Sequence, residues 1–93
     1  MNDLSKIPAK SNHITTRVIG DEAVLMNLVT LKTYYLNETA SRIWVLTDGS
    51  RSIDSIVCEL AEQYDVPRDK CGDEVLQLLT SLSEEQLVYY IDR

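Results

Sequence analysis

The chain of 93 residues has few of the residue types on which catalytic and metal sites rely. Its one histidine is His13, and its two cysteines, Cys58 and Cys71, are thirteen positions apart and form no CxxC pair. Because a metal site needs several ligands close together, this spacing predicts two ordinary thiols and no metal centre. The GxSxG, GxGxxG, HExxH and P-loop motifs are absent too. We therefore expect neither catalysis nor a bound cofactor.

Long apolar runs are also missing. No stretch approaches the roughly 18 consecutive apolar residues that a membrane span requires. Residues 1–12 lack the apolar segment of a secretory signal. The sequence thus predicts a cytoplasmic protein with no membrane partner, in which both cysteines stay reduced.

Positive charge is scarce. Nine Lys and Arg residues stand against 15 Asp and Glu residues, so the net charge is −6. Residues 1–47 carry 5 basic and 4 acidic side chains, whereas residues 48–93 carry 4 and 11. Proteins that bind nucleic acid need cations to displace counterions from phosphates. We therefore expect no nucleic-acid partner.

The chain changes its hydrophobic periodicity near residue 37. Before that point, alternation predicts strands over residues 13–19, 22–28 and 32–36, with connections so short that neighbours must be antiparallel. After it, apolar residues at helical spacing predict three helices, with Asn37 and Ser52 as N-caps and the third starting near Arg68. This order predicts an α+β fold, a three-stranded antiparallel sheet followed by three helices. We expect a flexible segment over residues 1–12 and one domain over 13–93, in which residues 87–91 pair with the sheet or pack as a tail.

The connection between the second and third strands is unusual for a hairpin. Residues 29–31 contain no Gly, Asn or Asp, the residues that tight hairpin turns prefer. Two interpretations stay open: a longer hairpin whose tip packs on a neighbour, or an exposed contact surface.

The third strand is the best candidate for a binding site. An edge strand offers unpaired backbone groups that can take an extended peptide as a further strand. The third helix could supply the opposite wall of a groove. The core-facing stripe of this helix is centred on Val75. Around the helix axis, Leu76 lies about 100° and Thr80 about 140° from that centre. Leu76, beside Asp73, would then be an apolar contact on the groove wall, or alternatively would pack against the C-terminal segment.

Two other functions compete with peptide binding. The second and third helices are joined by a short turn, which also suits a winged-helix DNA-binding regulator. However, the helix that would enter the DNA begins, over residues 68–74, with three carboxylates against two cations. A small enzyme that uses His13 or a carboxylate ranks last.

Several motifs in fixed register resemble the PqqD-like proteins. They read YYLNETA at 34–40, IWxLxDG at 43–49, SIxxIxxxLAxxY at 52–64 and DxVxxxLxxL at 73–82. The resemblance covers about residues 14–88. It implies a winged-helix-like fold that binds the leader region of a ribosomally synthesised precursor peptide. In that family the leader adds to the third strand, in the cleft beside the third helix.

The resemblance also implies the partners. The pairs Tyr34-Tyr35 and Ile43-Trp44 are more similar to the lasso-peptide members, which present the leader to a separate leader peptidase. The family member of the pyrroloquinoline quinone pathway presents the leader to a radical SAM enzyme. Residues 29–31 depart from the family, in which this hairpin commonly carries Thr-Gly.

The expected peptide-binding residues lie on the third strand and the third helix. Backbone groups of Leu31, Thr33 and Tyr35, or the alternate set, would pair with the peptide. Asp73 and the negative charge around it would favour a basic leader. The full set is Leu31, Lys32, Thr33, Tyr34, Tyr35, Asp73, Leu76, Leu79 and Thr80.

Overall fold

A computed structural model describes residues 4–91 and confirms the α+β class. The elements are β1 (Ile7–Lys10), β2 (Ile14–Ile19), β3 (Glu22–Asn27), β4 (Thr33–Leu36), α1 (Glu38–Leu46), α2 (Ile53–Tyr64), α3 (Arg68–Glu84) and β5 (Val88–Ile91). Strands β2, β3 and β4 form the predicted three-stranded antiparallel sheet, in that order. Both β2 and β4 are therefore edge strands. The likeness to a winged helix stays a prediction.

The sheet has one face on the core and one in solvent. On the core face, Ala23, Leu25 and Leu36 are buried. Side chains alternate along a strand, so Met26 and Tyr35 lie on the outer face, where both are exposed. Each outer residue pairs with its neighbour on the next strand, as Val24 does with Tyr35. No helix covers this face in the part of the chain that the structure describes.

The three helices begin where the sequence predicts. The side chain of Asn37 accepts a hydrogen bond from the backbone N–H of Ala40, and that of Ser52 accepts one from Ser55. Such caps satisfy backbone donors that the first helical turn leaves unpaired. Gly49, after α1, has the left-handed φ of 79° that its position predicts.

The core lies between the sheet and the helices. Trp44 is almost fully buried, and its indole N–H donates to the hydroxyl of Thr16 at 2.9 Å, which ties α1 to β2. Leu79, at the middle of α3, is completely buried. Complete burial of one such side chain stabilises a fold by about 1.5–3 kcal/mol.

Ile7–Lys10, which lie within the segment 1–12 predicted to be flexible, form β1. This strand pairs antiparallel with β5 in a second, two-stranded sheet, so residues 87–91 neither join the main sheet nor form a tail. The backbone carbonyl of Lys6 accepts from the N–H of Ile53 at 2.9 Å, which holds the segment against the start of α2. Residues 1–3 of the predicted segment lie outside the described residues.

Candidate functional site

The outer edge of β4 carries unpaired backbone groups at known positions. The N–H of Asn27 donates to the carbonyl of Lys32 at 2.9 Å, so that carbonyl points towards β3, while the N–H of Lys32 donates to the Thr30 hydroxyl in the turn at 3.2 Å. Along an antiparallel edge strand, residues whose backbone N–H and C=O point towards the neighbouring strand alternate with residues whose groups point away from it. The N–H and C=O groups of Thr33 and Tyr35 therefore point away from β3, and those of Tyr34 point towards it. Of the two sets left open by the sequence, this is the one with Thr33 and Tyr35.

The hairpin between β3 and β4 is held by the buried side chain of Asn27. Its Oδ1 accepts from the N–H of Val29 at 2.8 Å and of Thr30 at 3.2 Å. The N–H of Leu31 donates to the carbonyl of Asn27 at 2.7 Å. Leu31 has a φ of 65°, a conformation that usually favours glycine or asparagine. The N–H of Leu31 thus closes the turn and cannot pair with a peptide.

A contact between β4 and the end of α3 marks the groove. The Tyr34 hydroxyl donates to the Glu85 carboxylate at 2.7 Å, and the Lys32 Nζ lies 3.8 Å from the same carboxylate. The hydrogen bond to Glu85 raises the pKa of Tyr34 above its ordinary value. Because Leu78 precedes Glu85 by seven residues, the two lie on nearly the same side of α3. This side, and not the opposite one, is next to β4.

The predicted residues of α3 lie elsewhere. Asp73 and Leu76 line a depression together with Leu4, Val57 and Arg68, between α3, α2 and the N-terminal segment. Leu76 is half-buried and packs against the core cluster, which includes Leu87 and Val88 of the C-terminal segment. The structure does not bring Asp73 and Leu76 to β4.

The remaining two predicted residues of α3 differ in exposure. Leu79 is completely buried and offers no surface to a ligand, whereas Thr80 is exposed. On the helical wheel, Thr80 lies about 160° from Leu78, on the far side of α3 from β4. A binding role for Asp73, Leu76, Leu79 and Thr80 stays a prediction that the geometry does not favour.

A cavity of about 270 Å³ lies between α1, α2 and the first half of α3. Its lining includes Thr39, just beyond the end of β4, and Cys71 and Glu74 on α3. Glu74 and Glu85 are eleven residues apart and face the same side of the helix. Burial, and secondarily the charge of Glu74, raises the pKa of the Cys71 thiol. This thiol is therefore protonated near neutral pH and a poor nucleophile.

Metal-ligating side chains do not converge within residues 4–91. No cluster of three or more His, Cys, Asp or Glu side chains in that range could hold a metal ion. His13 lies by Lys10 and Tyr89 in a shallow depression on the side of β1 and β5. No helix of the described part is long and apolar enough to cross a membrane.

Comparison with known proteins shows the family. Residues 22–88 match the family described as coenzyme PQQ synthesis protein D (PqqD). The match covers most of the chain. The chain belongs to the PqqD family. A curated relative, the PqqA binding protein of Gluconobacter oxydans (strain 621H), is 33% identical over 58 residues. That match covers 62% of this chain and 60% of the relative.

Two solved structures share the PqqD-family fold seen here. TbiB1 in complex with the TbiA(beta) leader peptide is 28% identical, with a TM-score of 0.83 over 90% of this chain and 99% of its own. Lasso peptide synthetase B1, complexed with the leader peptide, is 22% identical, with a TM-score of 0.80 over 89% of this chain and 98% of its own. The likeness to the second shows the fold alone.

The sequence indicated the strand of this site better than the helix. The wheel of α3 has off-stripe residues on both sides of Val75, and the sequence does not say which side packs next to β4. For that reason the sequence did not place Glu85 and Leu78 next to β4. No pattern in the sequence pairs Glu85 with Tyr34, since the two are 51 positions apart.

Proposed function

We propose that this chain binds the leader region of a ribosomally synthesised precursor peptide and presents it to a maturation enzyme, without catalysing a step itself. The observation that carries the proposal is the open edge of β4 beside α3. Thr33 and Tyr35 offer two N–H donors and two C=O acceptors in the spacing that an added strand requires. The relatives support it: one is named a PqqA binding protein, and TbiB1 is bound to a leader peptide.

The groove explains why β4 is the better of the two open edges. A strand added to β4 has α3 along one side, so alternate side chains of the peptide can bury apolar surface against the helix. Among the predicted residues we retain Lys32, Thr33, Tyr34 and Tyr35 as the peptide edge. In place of Asp73 and Leu76 we propose Leu78 on α3 and Glu85 directly after its end, with the cavity beside Thr39 at the far end of the groove.

The proposed site also carries negative charge. Glu74 on α3 and Glu85 directly after it lie on the groove side, Glu85 beside the Lys32 ammonium, and the chain has a net charge of −6. Opposite charges steer association and favour matched partners. We therefore expect a basic leader to bind more tightly than the same peptide with its Lys and Arg replaced by Glu. The difference should shrink at high salt, because ions screen exposed charges.

The partner enzyme of this PqqD-family chain is either a leader peptidase or a radical SAM enzyme. The aromatic pairs at 34–35 and 43–44 favour the first. We propose that the chain acts in the cytoplasm, where the ribosome makes the precursor, and both cysteines are free thiols as a reducing compartment requires.

An NMR titration of the labelled chain tests the function. Leader peptides encoded beside the gene are added in one series and a DNA duplex in another. We expect leader-induced shifts at Thr33–Leu36, Leu78 and Glu85, and none on adding DNA. No shift with any encoded leader, together with broad shifts on adding DNA, would contradict the proposal and favour the transcription-regulator alternative.

A further inference from the structure

The main sheet has a second open edge, on β2, at the opposite end from the proposed peptide groove. The N–H of Leu28 donates to the carbonyl of His13 at 2.8 Å, so the backbone of His13 faces β3. Because this direction alternates along the strand, the odd-numbered residues of β2 also face β3. The N–H and C=O groups of the other three residues point away from the sheet: Ile14, Thr16 and Val18. The edge therefore offers three donors and three acceptors to an added strand.

None of the usual protections against strand pairing is found on β2. Natural edge strands are commonly shortened, bulged, interrupted by proline or given a charge directed at an approaching strand. β2 has six residues, pairs along β3 without a bulge and contains no proline. Its one charged side chain, Arg17, lies in the row of Val24 and Tyr35, on the outer face of the sheet. Residues 15–19 are all exposed, so the edge is accessible.

The helix side of this edge exposes apolar side chains. Val18 pairs with buried Ala23, so its side chain points to the helix side of the sheet, and yet it is 62% exposed. Val45 on α1 is 49% exposed and lines the same depression as Val18, between β2, α1 and the end of α2. A strand added to β2 would cover Val18 and approach Val45. Its backbone hydrogen bonds would thus be accompanied by burial of apolar surface.

The sequence of β2 is complementary to itself in an antiparallel pairing. With a two-fold axis at Thr16, this residue faces its own copy, and Ile14 faces Val18 of the second copy. Pairs of threonines and pairs of β-branched apolar residues are favourable across neighbouring strands. Arg17 then faces Thr15 of the second copy, so no like charges are directly opposed. A two-fold dimer requires this kind of self-complementary surface.

The charges around β2 also fit a second copy. Antiparallel pairing sets the start of one β2 beside the turn that follows the other. Basic Lys10 and His13 line a depression at the start of the strand, whereas acidic Asp21 and Glu22 lie in and directly after the turn. Opposite charges would therefore meet at both ends of the interface. The acidic excess of the chain lies in residues 48–93, so the two copies would approach through the nearly neutral part.

We propose that the chain forms a symmetric dimer in which the β2 strands of two copies pair antiparallel. The two three-stranded sheets would join into one sheet of six strands. Both β4 strands would then lie at the outer ends of the joined sheet, and each copy would keep its peptide groove open. The inference does not depend on the proposed function, because it concerns the edge that the leader strand does not use.

Proline at an outward position of β2 tests the pairing in the full chain. Val18→Pro removes an N–H that the dimer needs but no hydrogen bond of the sheet. Val18→Thr, which keeps the N–H and the branched side chain, is the matched control. Sedimentation velocity at low to high micromolar concentration measures association, circular dichroism checks the fold, and fluorescence anisotropy measures binding of a labelled leader peptide.

We expect the wild type and Val18→Thr to dimerise as the concentration rises, and Val18→Pro to dimerise at least tenfold more weakly with a native spectrum. All three should bind the leader within twofold of one another. A wild type that stays monomeric throughout, or a dimer that Val18→Pro leaves unchanged, would overturn the proposal without affecting the proposed function. Loss of leader binding in Val18→Pro would assign this edge to the leader and overturn both the dimer and the position of the groove.

Cysteine crosslinking tests the register of the two strands. The background is Cys58→Ser, which removes the exposed native thiol. Thr16→Cys would bring two Cα atoms to about 5.5 Å, within the range of a disulfide, whereas Val18→Cys would leave them about 13 Å apart along the strands. We expect an oxidant to crosslink the first variant and not the second. Crosslinking of Val18→Cys but not of Thr16→Cys would overturn the two-fold axis at Thr16.

Discussion

Proline substitutions on β4 can separate peptide binding from folding. The N–H of Thr33 points away from β3, so Thr33→Pro removes no hydrogen bond of the sheet, and proline is tolerated on edge strands for this reason. The N–H of Tyr34 points towards β3, so Tyr34→Pro removes a bond that the sheet needs. The two neighbouring residues should therefore respond in opposite ways.

The magnitudes follow from the same geometry. In the complex, Thr33→Pro leaves one peptide carbonyl without its donor, which costs about 1–3 kcal/mol. A loss of about 2 kcal/mol weakens the affinity for the leader roughly 30-fold. Tyr34→Pro leaves a carbonyl of β3 unpaired and should cost the fold a similar amount. In a domain of this size each 1 kcal/mol lowers Tm by about 4–8 °C.

The assay combines fluorescence anisotropy with a labelled leader and thermal unfolding followed by circular dichroism. Thr33→Val, which keeps both the backbone N–H and the side-chain shape, is the control and should bind like the wild type. If Thr33→Pro kept full affinity, strand addition at this edge would be refuted. If instead Thr33→Pro unfolded as readily as Tyr34→Pro, the orientation assigned to β4 would be wrong.

Three further predictions concern the fold around the site. Asn27→Ala removes the acceptor of two backbone N–H groups. It should lower the free energy of unfolding in urea by about 1–2 kcal/mol with an unchanged m-value. An unaffected unfolding midpoint would show that the turn does not need this side chain. Hydrogen bonds from the backbone of Ser50 and Arg51 lower the pKa of Asp48, so its contribution to stability is present at neutral pH and is lost as the pH falls below about 4. Unfolding titrations at pH 7 and pH 3 should therefore show a smaller acid loss in Asp48→Asn than in the wild type, and an equal loss would exclude this role. Exposed Cys58 should react with iodoacetamide well before buried Cys71, as peptide mass spectrometry can determine, whereas equal rates would mean that the cavity lining opens readily.

Local chemistry made the elements of this PqqD-family chain predictable. Alternation in β2 to β4 and the side-chain caps at Asn37 and Ser52 act within a few residues, so the sequence displays them directly. The pairing of β1 with β5 is different, because four residues with a proline at position 8 have no strand pattern of their own. The strand exists because a distant segment supplies its hydrogen bonds.

The candidate site likewise divides into features that the local sequence shows and features that depend on distant segments. The proposed peptide edge was predicted from β4 itself, but which of its backbone groups point outwards could be assigned only from the bond between Asn27 and Lys32. The groove wall needed more, namely which way α3 turns when its buried stripe meets the sheet. A helical wheel gives the angles of residues around one helix axis, but it does not show which side of the helix faces β4. For that reason the sequence predicted Asp73 and Leu76, whereas in the structure the side with Leu78 lies next to β4.

The pairing of β1 with β5 also has a consequence for the order of folding. Elsewhere, most of the sheet and helix contacts join elements that follow one another in the chain, such as the two hairpins of the main sheet and the α2–α3 pair. Joining the two ends of the chain closes a much longer loop, as in the bond from Ser11 to Gln86 across 75 positions. Contacts of such high sequence separation carry the greatest closure entropy and tend to form late. The hairpins of the main sheet and the α2–α3 pair can thus assemble from local contacts first, and hydrogen exchange should detect β1 and β5 as a separate unit that opens while the main sheet stays closed.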